Sequence, residues 1–179
     1  MMMKQRILLV LSLFLTVLTA VAGGRIKVAC VGNSVTWGLT ITDREKNCYP
    51  SQLQQMLGNQ YEVKNFGHSG ATLLSHGHRP YIDQKEYQEA LDFKADLVVI
   101  HLGLNDTDPR NWPEYSEEFN ADYIRLIDSF RQANPKAKIW LCQMTPIFDR
   151  HPRFESSTRD WYDQIQRHIR QVAKATGLP

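Results

Sequence analysis

The chain has 179 residues, of which 42% are hydrophobic and 22% are charged. These proportions are typical of a globular protein, so they exclude an intrinsically disordered chain, and the length suits one domain with its own core. The formal net charge is only +2, and no basic patch is interleaved with aromatic residues, so we do not expect a nucleic acid as partner.

The N-terminus has the pattern of a secretory signal peptide. Lys4 and Arg6 precede an apolar run of 16 residues, 7–22, which ends in Ala20-Val21-Ala22. A basic start, an apolar centre and a small-x-small end predict cleavage after Ala22, and thus a secreted or periplasmic protein. The run is shorter than the roughly 20 residues that span a bilayer, so we expect no stable membrane insertion after cleavage. An uncleaved membrane anchor is the alternative.

The rest of the chain, 23–179, is predicted to be one domain in which short apolar runs alternate with helical periodicities. Strands are predicted at 25–31, 61–66, 96–102 and 138–144, and helices from Pro50, at 83–92, at 117–134, and from Ser157 or Thr158 to Gly177. The run 96–102 is almost continuously apolar, which is typical of a strand buried on both faces.

The helical segments are predicted from apolar residues that recur at helical spacing. The helix from Pro50 carries Leu53, Met56 and Leu57 on one side. The clearest pattern lies within 117–134, where Pro135 ends the helix and the apolar face comprises Phe119, Tyr123, Leu126, Ile127 and Phe130. The last helix has an apolar face formed by Trp161, Ile165, His168, Ile169 and Val172.

This alternation predicts an α/β fold in which helices cover both faces of a parallel sheet. Such sheets bind their ligands at the carboxyl ends of the strands. We therefore expect the functional residues in the loops that follow the strands.

Three of these loops carry unusual residues. The first predicted strand is followed by Gly32-Asn33-Ser34-Val35-Thr36-Trp37-Gly38, the second leads into Asn65-Phe66-Gly67-His68-Ser69-Gly70-Ala71, and the third is followed by Gly103-Leu104-Asn105-Asp106. Each segment alone is ordinary loop composition. All three in this order, each at a strand end, are a far more specific pattern.

The three loops resemble sequence blocks of the SGNH (GDSL) hydrolases, a family named for a Ser, a Gly, an Asn and a His in successive blocks. Gly32-Asn33-Ser34 resembles the first block, which usually reads Gly-Asp-Ser. Gly67 matches the glycine of the second block, and Gly103-x-Asn105-Asp106 matches the third. The resemblance extends from about residue 26 to the C-terminus. It implies a flavodoxin-like three-layer α/β/α sandwich with the strand order 2-1-3-4-5.

The resemblance also implies the roles of individual residues. Ser34 would be the nucleophile that attacks an ester carbonyl, and its amide would form an oxyanion hole with the Gly67 amide and the Asn105 side chain. A glycine suits position 67 because a side chain there could block the approach of the backbone to the substrate. Asp106 is expected to brace its own loop, and no cofactor is implied.

The family's general base is not identified in this chain. The family supplies it from a late Asp-x-x-His block, in which the Asp supports the His, yet none of the six histidines here has an Asp three residues earlier. The chain ends at Gly177-Leu178-Pro179, where a fifth strand is expected to begin. We therefore expect a truncated sequence or gene model and not an evolved loss, and little activity from the chain as printed.

The remaining histidines have simpler interpretations. His168 is expected to be a hydrogen-bonded core residue, and His101 to point into a packed layer. His68 is either a substrate contact or a plain loop residue. His76 and His78 have a spacing that invites a metal site, but two ligands without a third do not make one, so no metal is predicted.

Two further features leave alternatives open. The loop at 145–153, after the fourth strand, either grips a hydroxylated substrate or is an ordinary solvated loop. Three cysteines, Cys30, Cys48 and Cys142, allow one disulfide at most. Cys30 and Cys142 fall in predicted strands and are expected to be buried thiols.

The sequence therefore predicts a secreted serine esterase that acts through an acyl-Ser34 intermediate. The Gly32–Gly38 segment resembles that of exported bacterial members, which implies O-acetyl esters of carbohydrates as substrates, with sialate or xylan acetyl groups as examples. One alternative is a flavodoxin-like protein whose first loop binds a phosphate or a flavin. Another is a carbohydrate-binding relative without catalytic activity.

Overall fold

The protein is described from a computed structural model that covers residues 24–147 and 158–179. The predicted signal peptide and most of the loop at 145–153 lie outside the described residues. Among the described residues, no helix has the length and apolarity needed to cross a bilayer.

A parallel sheet of four strands organises the described residues. The strands are β1 (Ile26–Gly32), β2 (Tyr61–Gly67), β3 (Leu97–His101) and β4 (Lys138–Leu141). They lie in the order β2-β1-β3-β4, and every pair is parallel. This arrangement confirms the predicted α/β class and matches the first four positions of the order 2-1-3-4-5.

The register of the sheet aligns the ends of three strands. Gly32, the last residue of β1, pairs with Gly67 of β2 on one side and with His101 of β3 on the other. Because all three strands run in the same direction, the loops that follow them leave the same edge of the sheet.

Seven α-helices and three 3₁₀ turns lie in the described part of the chain. The helices are α1 (Ser34–Trp37), α2 (Arg44–Asn47), α3 (Tyr49–Leu57), α4 (Lys85–Phe93), α5 (Trp112–Tyr115), α6 (Phe119–Ala133) and α7 (Thr158–Thr176). The 3₁₀ turns are Tyr81–Asp83, Asn105–Thr107 and Ser116–Glu118. The four predicted helices correspond to α3, α4, α6 and α7, whereas α1, α2 and α5, each of four residues, were not predicted.

The main core lies between one face of the sheet and the helices α4, α6 and α7. The sheet contributes alternate residues of β1 and β3, and all five apolar residues predicted for α6 are buried. The principal members are Ala29, Val31, Val98, Ile100, Phe119, Tyr123, Leu126, Ile127, Phe130, Ile165, Ile169 and Val172. The helices α1 and α3 pack against β2. The core therefore fixes the strands whose ends carry the loops of interest.

Two details differ from the prediction. The fourth strand ends at Leu141 and not at residue 144, because the chain then turns towards α7, where the Met144 amide donates to Gln166 Oε1 at 3.0 Å. Met56, predicted on the buried side of α3, is 84% exposed, since only a narrow strip of this short helix packs against β2.

The three cysteines are free thiols in the structure. Cys30 and Cys48 are buried, so the expected burial is confirmed for Cys30, but Cys142 lies just after β4 and is only half-buried, contrary to the prediction. Burial raises the pKa of Cys30 to about 12, so its thiol stays protonated.

Candidate active site

Ser34 begins a short helix directly after the central strand. The preceding residue, Asn33, is buried and caps α1, since its Oδ1 accepts a hydrogen bond from the Val35 amide at 3.0 Å. The helix ends at Gly38, which has a left-handed φ of 92°. This tight strand–turn–helix connection leaves Ser34 half-buried at the first position of α1. Within the described residues, the Ser34 hydroxyl makes no hydrogen bond.

Two glycines allow α1 to lie directly on the sheet. A Cβ atom on Gly32 would lie 2.1 Å from Thr36 Oγ1 and 2.7 Å from the His101 carbonyl oxygen. A Cβ atom on Gly67 would lie 2.3 Å from the backbone nitrogen of Trp37. Any side chain at these positions would push α1, and with it Ser34, away from the strand ends.

The amide of Gly67, predicted as an oxyanion donor, already has an acceptor in the structure. Gly67 is buried, and its N–H donates to Asn65 Oδ1 at 2.9 Å. The Asn65 Nδ2 in turn donates to the Thr36 carbonyl at 2.8 Å. Gly67 therefore belongs to the contact between β2 and α1, and this close packing is by itself a structural reason for a glycine at this position.

A second glycine of the same loop has the properties expected of a donor. The Ala71 amide donates to the His68 carbonyl at 3.1 Å, which closes a β-turn over residues 68–71. Gly70, the third residue of this turn, has a φ of 84° and is half-buried. In the described part of the chain, the Gly70 amide has no hydrogen-bond acceptor. Gly70 was not predicted as a donor from the sequence, although Ser-Gly is a turn signal.

Asn105 joins the loop after β3 to the loop after β2. It begins the 3₁₀ turn Asn105–Thr107, is 7% exposed, and donates from Nδ2 to the Ala71 carbonyl at 2.9 Å. Asn111, which the sequence analysis did not single out, donates from Nδ2 to the Asn105 carbonyl at 2.9 Å. The Asn105 amide group is thus fixed beside the turn that contains Gly70.

Asp106 braces more than its own loop. Its carboxylate accepts hydrogen bonds from the amides of Leu73 and Leu74 at 3.0 and 2.8 Å. The side chain is fully buried, and burial raises its pKa to about 6 although the backbone amides favour the charged form. Asp106 therefore ties the loop after β3 to the segment that follows the 68–71 turn.

Three exposed or half-buried histidines are held by polar neighbours. His68 Nδ1 lies 2.9 Å from Glu86 Oε2, and His76 Nδ1 lies 2.7 Å from Glu118 Oε2. His78 is bound through its amide and its ring to Asn111. Within the described residues, no group of three or more potential ligands could hold a metal ion.

Of the two remaining described histidines, His101 is buried as predicted, whereas His168 is hydrogen-bonded but half-buried and thus not a full core residue. His168 Nδ1 lies 2.9 Å from Asn120 Oδ1, and its ring packs against Trp112 and Phe119. His101 is 7% exposed at the end of β3, and burial lowers its pKa, so it is neutral at pH 7. His151 lies outside the described residues. None of the described histidines is hydrogen-bonded to Ser34.

Comparison with known proteins identifies relatives of the chain. The GDSL-like lipase/acylhydrolase family profile matches residues 30–179. An acetylxylan esterase of Xylanibacter ruminicola is 40% identical over 170 residues, which cover 86% of this chain and 35% of that enzyme. The chain thus spans about a third of the length of this relative.

Solved structures of low sequence identity share the fold. The acetyl xylan esterase AlAXEase has a TM-score of 0.64 at 21% identity, covering 86% of this chain and 75% of that chain. Axe2, an acetylxylan esterase from Geobacillus stearothermophilus, has a TM-score of 0.55 at 20% identity, covering 87% of this chain and 75% of that chain. Since the family profile covers most of the sequence, including the loops that carry Ser34 and Asn105, the chain belongs to the GDSL-like lipase/acylhydrolase family.

Proposed function

We propose that the protein is a serine esterase that removes O-acetyl groups from carbohydrates, with acetylated xylan as the leading substrate. One observation carries the proposal. Ser34 starts a helix at the end of β1. The 68–71 turn follows the end of β2, and the side-chain amide of Asn105 lies in the loop after β3, so both neighbours of β1 contribute a donor. Acyl transfer needs this combination of a nucleophile and fixed donors.

The reaction proceeds through an acyl-serine. Ser34 Oγ attacks the ester carbonyl carbon, and the carbonyl oxygen takes up the negative charge. The bond to the alcohol then breaks, and the general base passes the proton lost by Ser34 to the leaving alcohol. Water hydrolyses the acetyl-Ser34 ester to acetate and restores the Ser34 hydroxyl. Donors held in place before the reaction stabilise the oxyanion because they need no reorganisation as charge develops.

Three donors are assigned to the oxyanion. The Ser34 amide lies in the first turn of α1, where amides have no acceptor within the helix. The Asn105 Nδ2 is oriented by its hydrogen bond to the Ala71 carbonyl. For the third donor we favour Gly70 over Gly67, because the Gly67 amide is buried and bound to Asn65, whereas Gly70 is half-buried next to Ala71.

A general base must complete this site, since a serine hydroxyl is a poor nucleophile without one. The described histidines do not supply it, as none is hydrogen-bonded to Ser34. The proposal assigns the base to a histidine outside the described residues.

The substrate class rests on the relative with the highest sequence identity reported above. That protein is an acetylxylan esterase, and its 40% identity extends over most of this chain.

Covalent labelling tests the nucleophile directly. The purified chain is incubated with p-nitrophenyl acetate, whose good leaving group lessens the need for a base, and peptides are analysed by mass spectrometry. We expect an acetyl group on the peptide that contains Ser34, its loss in Ser34→Ala, and its retention in the control Ser129→Ala, a serine on α6. Acetylation of lysines alone, at equal rates in both proteins, would overturn the assignment.

Acetylated xylo-oligosaccharides test the substrate class and the non-catalytic alternative. Release of acetate that depends on Ser34 supports the esterase. Binding of the oligosaccharide without acetylation of Ser34 by p-nitrophenyl acetate would identify a carbohydrate-binding relative instead.

We also propose that the protein is exported and that residues 1–22 are removed. The support for export is the basic, apolar and small-residue pattern of that segment. Expression with the complete N-terminus in a bacterium, followed by N-terminal sequencing of the periplasmic or secreted protein, should find Gly23 as the first residue. A membrane-bound protein that begins at Met1 would contradict this.

A further inference from the structure

We propose that Arg79 is a positioning residue that directs the Gly70 N–H towards the ester oxygen by holding the carbonyl of the same peptide bond. This inference rests on the proposed function. It adds a role for a residue outside the three family loops and explains what fixes the orientation of the donor.

The 68–71 turn is of type II. It has the hydrogen bond from the Ala71 amide to the His68 carbonyl, and Gly70, its third residue, has a φ of 84°. Ser69 is not among the residues with positive φ, which excludes the mirror-image type I′ turn. Type I and type II turns differ mainly in the orientation of their central peptide bond, which here joins Ser69 to Gly70.

The orientation of this peptide decides which group faces the site. In a trans peptide the C=O and the N–H point in opposite directions, and the described residues contain no cis peptide bond. A flip of the Ser69–Gly70 peptide would exchange the Gly70 N–H for the Ser69 carbonyl oxygen. A carbonyl oxygen repels a developing oxyanion, so the flipped turn would oppose the reaction that the present turn favours.

Arg79 binds the carbonyl side of this peptide. Its Nη1 donates to the Ser69 carbonyl at 3.0 Å, and a Cβ atom on Gly70 would lie only 2.8 Å from the same nitrogen. The guanidinium thus lies against the turn, and in the described part of the chain it forms no ion pair with a carboxylate. Its positive charge strengthens the hydrogen bond to the carbonyl and polarises the peptide, which makes the Gly70 N–H a stronger donor.

The backbone of Arg79 is anchored next to the turn. The Thr72 amide donates to the Arg79 carbonyl at 2.8 Å, and the Tyr81 amide donates to the Thr72 carbonyl at 2.9 Å. Thr72 and Pro80 form an isolated parallel bridge. The segment that returns at Arg79 is therefore attached two residues after Gly70, so backbone hydrogen bonds place the Cα of Arg79 beside the turn, and its exposed side chain reaches back to the Ser69 carbonyl.

The first experiment measures the peptide itself and does not depend on catalysis. The ¹⁵N frequency of an amide responds to hydrogen bonding at the preceding carbonyl, so Arg79→Met should shift the Gly70 signal to lower frequency. Arg79→Lys, which keeps a charged donor, should restore most of the shift. Arg110→Met is the matched control, because Arg110 is exposed and its side chain binds, among the described residues, only Asp108. A Gly70 signal unchanged in Arg79→Met would overturn the proposal.

The second experiment links the peptide to the chemistry. In Arg79→Met the rate constant for acetylation of Ser34 by p-nitrophenyl acetate should fall by about 10- to 100-fold, somewhat less than for loss of a whole oxyanion donor. The concentration of ester at half-maximal rate should stay nearly unchanged, and Arg79→Lys should recover most of the rate. A shifted Gly70 signal with a normal acetylation rate would overturn the catalytic role of Arg79. Absence of Ser34 acetylation in the wild type would instead refute the proposed function, whatever the Gly70 signal shows.

Discussion

Gly67→Ala distinguishes two explanations of the glycine at the end of β2. If the glycine only leaves room for a substrate, the alanine variant should lose activity and keep its stability. The structure predicts a loss of stability, because the new Cβ would lie 2.3 Å from Trp37 N and 2.8 Å from both Thr36 C and Trp37 Cα. All three are backbone atoms, so no side-chain rotation can relieve the contact.

The size of the effect follows from these distances. Ordinary contacts begin at 3.4 Å, so α1 must move by about 1 Å. Overpacking of this kind costs about 1–3 kcal/mol, and we expect the upper end of that range because a helix backbone has to move. A displacement of this size also shifts Ser34, which should slow its acetylation by about 10²-fold.

Urea denaturation followed by tryptophan fluorescence measures the stability change. Gly24→Ala is the matched control, because a Cβ atom there would meet nothing within 4 Å. We expect this control to match the wild type. If Gly67→Ala unfolds at the same urea concentration as Gly24→Ala, close packing of α1 on β2 does not explain the glycine, and access for a substrate becomes the better explanation.

Three further predictions follow from the hydrogen bonds of the site. Asn33→Ala removes the cap of α1 and should lower the free energy of unfolding by about 1 kcal/mol, whereas the exposed Asn59→Ala should not; equal urea midpoints would remove the cap from the account. Asn105→Ala should slow the acetylation of Ser34 by about 10²–10³-fold, and an unchanged rate would exclude it as an oxyanion donor. The pKa of Asp106 is raised to about 6, above the value of about 3.9 in an unfolded chain, so the folded state binds more protons between these values and its stability should fall as the pH rises from 4 to 6. Asp106→Asn should flatten that part of the stability curve; the same slope in both proteins would refute the assignment.

The elements that the sequence predicted well are those whose own pattern dictates their burial. The apolar face of α6 recurs at helical spacing, and all five of its predicted residues are buried. The runs that became β1 and β3 are apolar enough to be buried on both faces, which only the interior of a parallel sheet provides. The strand order implied by the family resemblance then placed Ser34 and Asn105 at neighbouring strand ends, and the structure has this order.

The details that the sequence did not predict depend on contacts between distant residues. The reason for Gly67 is the backbone of α1, some thirty positions earlier in the chain. The choice between Gly67 and Gly70 as a donor depends on where Asn65 Oδ1 points. Met56 has the spacing of a core residue, but α3 has too few neighbours to cover it. The periodicity of apolar residues along the sequence carries no information about such contacts.

The position of β1 has a consequence for how the protein folds. This strand is the first to be synthesised, yet it pairs on one side from Ile26 to Tyr61 and on the other from Val28 to Leu97. For both pairings, long loops must close before the strand contacts can stabilise the chain, and this slows folding. Until β3 has left the ribosome, the apolar segment that leads to Ser34 has an unpaired edge and is exposed to aggregation. Because β1 is paired on both sides, the amides at its centre should exchange with solvent only when the whole sheet opens. Since β1 is complete only after β3 has paired, Ser34 acquires its geometry late in folding.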